Sequence, residues 1–153
     1  MSVFEASVEL ACSPEVAFEF LAQPENIRLI TPSAVMLVFD AAPPRLSLGA
    51  RMEFRVQSMG VVRSAVHEVT EWDSPRRFVE RQVSGPLGEW EHEHLFEKTA
   101  TGVRVTDRIT FSPPSGLLGL VVNDRKIRES LEEGFEHRHH ELAKRFGSSA
   151  GVR

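Results

Sequence analysis

The chain has 153 residues, of which 41% are hydrophobic and 26% charged, and its formal net charge is −4. This length and apolar content predict one globular domain with a substantial core, which we assign to residues 1–147. We expect the small and polar residues 148–153 to form a disordered tail. Acidic and basic residues are interspersed, so no basic patch favours a nucleic-acid partner.

Cysteine content and hydropathy bear on where the protein works. The only cysteine, Cys12, cannot form an intrachain disulfide, which favours a reducing, cytoplasmic location. No apolar run has the length of a membrane span, and the N-terminal residues lack the basic flank and apolar centre of a signal peptide. We therefore expect a cytoplasmic protein without a membrane span. The oligomeric state is left open, with a homodimer among the alternatives.

The N-terminal third combines a strand with short helices. Apolar and polar residues alternate over residues 2–11, as in a half-buried strand. Residues 13–15, Ser-Pro-Glu, supply an N-cap, a proline at the first helical position and an acid in the first turn. They predict a short helix that stops before Pro24. A second short helical turn is predicted over residues 25–30.

Six further strands are predicted, separated by turns rich in glycine, proline and small polar residues. They cover residues 35–41, 51–58, 61–72, 78–83, 89–98 and 103–111. Such short connections make the strands antiparallel neighbours. Counting strand pairs across the turn at 59–60 places His67 on the inner face of strand 61–72, whereas counting across the turn at 73–76 places Glu68 there. A β-bulge within this strand would reconcile the two counts.

The last predicted element is a long amphipathic helix over residues 117–146. Its apolar residues recur mostly at steps of three and four, which places them in one stripe. They are Leu120, Ile127, Leu131, Phe135, Leu142 and Phe146. At 1.5 Å per residue the helix would be about 45 Å long. One long helix after a run of strands predicts an α+β fold in which the sheet curls around the helix. Where the sheet and the helix do not pack completely against each other, a cavity remains.

Four stretches of the sequence carry a resemblance to a known superfamily. They are SPEVAFEFLAQPENI, VTEWDSPRRFVERQVSGPLGEWEHEHLFE, TGVRVTDRITFSPPSGLLG and FEHRHHELAKRF. The chain resembles the START/Bet v 1 superfamily, also called SRPBCC, which includes polyketide cyclase and dehydrase-like proteins. The sequence of these stretches is most similar to the bacterial ligand-binding branch of that superfamily. The resemblance implies a helix-grip fold, with a seven-stranded antiparallel curved sheet around a long C-terminal helix and two short helices between strands 1 and 2. It does not single out one function, because the superfamily hosts carriers, hormone receptors and cyclases.

Strand 89–98 has glutamates on one face and a mixed aromatic and histidine face opposite. Several acids cannot all face a core, so the other face is predicted to point inward. That face consists of Trp90, His92, His94 and Phe96.

The next strand carries Asp107 on an otherwise apolar inner face, where a carboxylate is unexpected. Counting across the turn at 99–102 places His94 directly opposite Asp107, near enough for a hydrogen bond. Ion pairing would raise the pKa of the imidazole and lower the pKa of the carboxylate. The same counting across the preceding hairpin places Arg81 beside His92.

These polar residues have more than one interpretation. His94 and Asp107 form either a buried polar pair that fixes strand register, or a ligand-contacting or catalytic pair. Two histidines beside a carboxylate also resemble a two-His, one-carboxylate metal site, but strand alternation produces such spacing easily, so no metal or other cofactor is predicted. The histidines within 137–140 lack the HExxH order, although Arg138 and His139 lie nearest the inner stripe.

The favoured function is the binding of a small hydrophobic or amphipathic molecule in a cavity between the curved sheet and the C-terminal helix, as in a carrier or sensor. The expected lining is Phe54, Val56, Trp90, Phe96, Phe111, Leu131 and Phe135, with Arg81, His92, His94 and Asp107 fixing polar groups. The first alternative is a cyclase or dehydratase in which His94, oriented by Asp107, is the general base and Arg81 steadies an enolate. The second is an adaptor that binds a protein partner. The lack of a nucleophile elbow or cofactor motif favours binding.

Overall fold

A seven-stranded antiparallel sheet curves around a long helix in the computed structural model, which describes residues 1–58 and 60–148. Strand β1 (Ser2–Leu10) is followed by α1 (Pro14–Leu21), α2 (Pro24–Leu29) and a 3₁₀ turn (Ser33–Val35). Next come β2 (Val38–Ala41), β3 (Arg51–Ser58), β4 (Val61–Asp73), β5 (Arg77–Ser84), β6 (Glu89–Lys98) and β7 (Val103–Ser112). Helices α3 (Leu118–Val121) and α4 (Asp124–Phe146) complete the fold. The strand order β1-β7-β6-β5-β4-β3-β2 confirms the predicted helix-grip class.

The two short helices cover one end of the sheet. The hydroxyl of Ser13 accepts a hydrogen bond from the Val16 backbone nitrogen at 3.2 Å, which is the predicted N-cap of α1. Phe18 on the inner side of α1 is fully buried. Its ring meets the rings of Phe78 and Phe96 edge-on, with centroids 5.4 and 5.0 Å away. Aromatic packing therefore joins α1 to strands β5 and β6.

The predicted single helix over 117–146 is wrong, because Val122 and Asn123 divide it. Asn123 is extended (φ −93°, ψ 173°), and its side-chain oxygen accepts a hydrogen bond from the Lys126 backbone nitrogen at 3.0 Å. An asparagine in this role satisfies a free N–H and starts a new helix. Leu120, predicted in the inner stripe, lies on α3 and is 75% exposed. Helix α4 alone has 23 residues and is about 35 Å long.

The register between β6 and β7 is as predicted, with His94 opposite Asp107. The register between β5 and β6 differs by one residue from the prediction: Glu80, not Arg81, lies opposite His92. The pairing of these strands ends at Arg81 and Glu91, which leaves the odd-membered connection 82–90 in place of the even-membered turn that the count assumed. Within this connection the side chain of Gln82 donates to the carbonyl of Leu87 at 2.9 Å.

The predicted irregularity in β4 is confirmed. Its pairing with β5 shifts between Val66 and His67 and again between Val69 and Glu71. These shifts reconcile the two counts and leave His67 buried on the concave face.

The end of α4 is joined to the end of β1. The Ala11 backbone nitrogen donates to the carbonyl of Gly147 at 2.9 Å, and Ser148 forms a bridge with Leu10. The tail predicted for residues 148–153 starts at this bridge, and residues 149–153 lie outside the described part of the chain. Among the described residues, no helix is both long and apolar enough to cross a membrane.

Candidate functional site

A cavity of about 330 Å³ lies between the concave face of the sheet and α4. Most of its lining is apolar and comes from α2, β3 to β6 and α4. The lining includes Phe54, Val56, Trp90, Leu131 and Phe135, as predicted. Members of both hydrophobic clusters of the core border the cavity, so it lies between two well-packed regions.

Small side chains keep this space open. Gly134 on α4 faces it, and a Cβ at this position would meet no atom within 4 Å apart from its chain neighbours and the backbone of its own helix. Ser130 and Ala65 are further lining residues with little bulk. The cavity thus follows from small residues at positions where larger ones would fill the core.

A second cavity, of about 470 Å³, adjoins the first and shares Trp90, Leu131 and Gly134 with it. It extends outward to Leu118 on α3 and Val122 in the break between α3 and α4. The interruption of the predicted long helix therefore forms part of the cavity wall.

Asp107 anchors the polar side of the site. It is fully buried and accepts hydrogen bonds from His92 Nε2 at 2.7 Å and His139 Nε2 at 2.9 Å. The Arg138 guanidinium lies 3.7 Å away. Burial alone would raise the pKa of Asp107, but the two histidine hydrogen bonds and the charges of His92 and Arg138 outweigh it and hold the pKa well below its usual range. Asp107 therefore joins the sheet to α4 as a buried anion.

The predicted hydrogen bond between His94 and Asp107 does not form. Their nearest atoms, His94 Nδ1 and Asp107 Oδ1, are 3.5 Å apart, and neither ring nitrogen of His94 has a hydrogen-bond partner. The imidazole is instead stacked between Phe78 and His92, at centroid distances of 4.0 and 3.7 Å. Burial and the charge of His92 lower the pKa of His94 to about 4, so the ring is neutral at pH 7. The histidine that Asp107 orients is His92.

Glu80 is the functional candidate that the sequence analysis missed. Its Oε1 lies 3.4 Å from His92 Nδ1, 3.8 Å from His94 Nε2 and 3.9 Å from His67 Nδ1. Burial would raise the pKa of Glu80, but the three histidines outweigh it and hold the pKa well below its usual range. Burial would likewise lower the pKa of His92, yet Asp107 and Glu80 raise it. Alternation from the apolar Phe78 would have placed Glu80 on the inner face.

Three other predicted site residues lie away from the cavity. Arg81 points outward, with 60% of its side chain exposed, and donates to Glu91 at 3.1 Å. Phe96 packs under α1, and Phe111 is fully buried. Asp107 does not line the cavity itself, but it is hydrogen-bonded to His92, which does.

Arg138 is the arginine that borders the cavity. Its side chain is 13% exposed, and its guanidinium lies over the ring of Phe135, 4.7 Å from the centroid. Its Nη1 has no hydrogen-bond partner. The site therefore combines an apolar chamber with a wall of buried histidines, two carboxylates and one arginine.

This arrangement defines a helix-grip protein with an internal cavity of ligand size. The chain belongs to the family described as "Polyketide cyclase / dehydrase and lipid transport", whose model matches residues 1–147, and the expected membership of the SRPBCC superfamily is confirmed. A comparison with curated proteins gives no match.

Several solved structures share the fold. TTHA0849 from Thermus thermophilus has a TM-score of 0.73 at 17% identity, covering 94% of this chain and 98% of that one. Ginseng major latex-like protein 151 from Panax ginseng has a TM-score of 0.66 at 13% identity, covering 92% of this chain and 97% of that one. The di-domain ARO/CYC StfQ from the steffimycin biosynthetic pathway has a TM-score of 0.70 at 16% identity, covering 95% of this chain and 50% of StfQ. At these identities the likeness shows the fold alone.

Proposed function

We propose that the protein binds a small hydrophobic or amphipathic molecule in the cavity between the curved sheet and α4, as a carrier or sensor. The supporting observation is a largely apolar cavity of about 330 Å³ that is bordered by members of both packed hydrophobic clusters. Ligand cavities span about 300–1,000 Å³.

Unpaired polar atoms favour a ligand with one polar end. Trp90 Nε1, Arg138 Nη1 and both ring nitrogens of His94 are buried without hydrogen-bond partners, and all three residues border the cavity. Indole and guanidinium groups can only donate. A buried unpaired donor costs about 1–3 kcal/mol, which an acceptor on the ligand would recover. The proposed ligand therefore carries a carbonyl, carboxyl or similar oxygen at one end of an apolar body.

Thermal unfolding tests this proposal. A ligand that binds only the folded state raises the melting temperature by mass action. The panel would contain medium-chain methyl ketones, carboxylic acids and alkanes of matched length, together with aromatic ketones. We expect the ketones or acids to raise the melting temperature more than the alkanes do. Native mass spectrometry of freshly purified protein would look for a small molecule that stays bound. A broad panel without any shift, and no co-purified molecule, would refute ligand binding.

A cavity-filling variant makes the test specific. Gly134→Leu places a large side chain where the Cβ meets open space, so we expect ligand binding to be lost while the fold is kept. Glycine in a helix interior costs about 1 kcal/mol relative to good helix formers, so stability should be equal or higher. Glu136→Leu, at an exposed position of the same helix, is the matched control and should bind like the wild type. Equal binding by all three proteins would place the ligand outside the cavity.

A cyclase or dehydratase reaction is the second candidate. It is favoured by the unbonded imidazole of His94 at the cavity wall. A pKa of about 4, however, makes His94 a weak base at neutral pH, and Asp107 does not hold its ring. Binding is therefore the better supported function. A polyketide-type β-carbonyl substrate that is turned over by the wild type, and bound but not turned over by His94→Ala, would establish the enzyme instead.

A further inference from the structure

Three neighbouring strands direct metal-ligating atoms towards one point of the cavity wall. Glu80 on β5 lies directly opposite His92 on β6, and His94 follows two residues later on the same face. The ligating atoms of these three residues all lie within 4.8 Å of one another. His67 on β4 adds a fourth nitrogen, 3.9 Å from Glu80 Oε1. All four side chains border the cavity.

The spacing of these atoms fits a single metal ion. Ligands that surround zinc tetrahedrally at about 2.0–2.1 Å are separated from one another by about 3.4 Å. Glu80 Oε1 is 3.4 Å from His92 Nδ1 and 3.8 Å from His94 Nε2. The two distances from the carboxylate are therefore already close to the separation that one ion requires, and the remaining adjustment falls on the imidazole of His94.

His94 supplies the second, independent observation. It is 3% exposed, yet neither of its ring nitrogens has a hydrogen-bond partner. Buried imidazoles normally have such partners, and an unpaired one at a cavity wall is available as a ligand. Its ring is stacked on that of His92, so coordination requires the His94 ring to turn about its Cβ–Cγ bond. No hydrogen bond opposes that rotation.

His92 already has the surroundings of a metal ligand. Its Nε2 is hydrogen-bonded to Asp107 at 2.7 Å, which leaves Nδ1 towards Glu80. Histidines that bind metals commonly donate their other ring N–H to a carboxylate, which fixes the ring and strengthens the ligand. Asp107 provides that carboxylate from β7, the next strand of the sheet.

We propose that Glu80, His92 and His94 bind one divalent first-row transition-metal ion at the polar wall of the cavity, with His67 as a fourth ligand. Two or three imidazoles with one carboxylate suit Zn²⁺, Fe²⁺, Co²⁺ and Ni²⁺ better than Mg²⁺ or Ca²⁺. The site does not depend on the proposed organic ligand, because it uses only atoms of the protein.

Cobalt titration tests the site. Protein without a histidine tag is stripped with EDTA, dialysed and titrated with CoCl₂ while visible absorption is recorded. We expect saturation at one Co²⁺ per chain, displacement by Zn²⁺, and a higher melting temperature with Zn²⁺. Glu80→Gln and His94→Phe should each abolish the saturable signal. Asp107→Asn, which removes the carboxylate that supports His92 but none of the proposed ligands, should weaken binding by about 10- to 100-fold.

Surface histidines provide the control. His137 is partly exposed and lies one helical turn from Glu141, a pair that could hold a metal ion adventitiously. His137→Ala should leave the cobalt titration unchanged. Lack of one-to-one saturation in the wild type overturns the proposal, and so does binding that is lost in His137→Ala but kept in Glu80→Gln. His94→Phe keeps the ring stack with Phe78, so loss of cobalt binding in this variant would not follow from loss of the stack.

Discussion

Replacing Asp107 by asparagine tests whether the buried carboxylate holds α4 to the sheet. The substitution keeps the shape of the side chain but removes the charge that faces His92, His139 and Arg138. Removing one partner of a buried ion pair costs about 3–5 kcal/mol, because the remaining charge stays buried and unpaired. Total stabilities of domains are about 5–15 kcal/mol, so Asp107→Asn should remain folded but be markedly less stable.

Urea unfolding in EDTA, followed by tryptophan fluorescence, measures this loss. Asp40→Asn is the matched control: Asp40 pairs with Arg55 at the surface, where both side chains are nearly half exposed, so its loss should matter far less. Combining Asp107→Asn with His139→Gln gives a double-mutant cycle, in which we expect a coupling energy of about 0.5–3 kcal/mol. A loss below about 1 kcal/mol for Asp107→Asn would contradict the buried charge network that the contacts imply.

Three further predictions concern other parts of the chain. In metal-free protein the pKa of His94, about 4, lies below that of the unfolded chain, so stability should rise with pH from about 4 to 6.5 by up to about 3 kcal/mol. The raised pKa of His92 should make stability fall above about pH 6.5. In a pH series of unfolding curves, no rise between pH 4 and 6.5 would contradict the sign for His94, and a continued rise above pH 6.5 would contradict the sign for His92. Asn123→Ala should cost about 0.5–2 kcal/mol in urea unfolding, since it removes the N-cap of α4, and no loss would show that the cap is not formed. Burial raises the pKa of the Cys12 thiol, so alkylation by iodoacetamide near neutral pH should be slower than for a cysteine peptide.

Periodicity and turn chemistry sufficed to predict the order of the seven strands and the two short helices, but not the division of the C-terminal helix. The alternation of β6 and β7, joined by a tight turn, even gave the correct pairing of His94 with Asp107. The count failed between β5 and β6, where the pairing stops at Arg81 and Glu91 and leaves an odd-membered connection. Hairpin counting assumes a turn of known length, and the side-chain bond of Gln82 within this connection is not visible in a hydrophobic pattern.

The orientation of the side chains in the site was harder to predict than the pairing of the strands. The register places the Cβ atoms of His94 and Asp107 across from each other, but it does not set the rotation of the imidazole. Stacking on Phe78 turns that ring away from the carboxylate, and His92 takes its place. The helix break was missed for a related reason: hydrophobic periodicity continues through Asn123, whereas the capping bond of this residue depends on local backbone conformation.

The charges along the cavity wall link the proposed metal site to the proposed ligand binding. Glu80 and Asp107, whose pKa values are held low, lie beside His92, whose pKa is raised, and Arg138 lies beside Asp107, so the carboxylates of the metal-free wall already have positive partners. A wall whose charges are already paired suits a ketone better than a carboxylate, because a further buried anion would need its own counter-charge. A bound divalent cation would reverse this preference by adding positive charge beside the ligand's polar end. We therefore expect Zn²⁺ to increase the affinity for medium-chain carboxylic acids relative to methyl ketones, measured by calorimetry with and without EDTA. An unchanged ratio in protein that does bind zinc would mean that the polar end of the ligand lies elsewhere in the cavity.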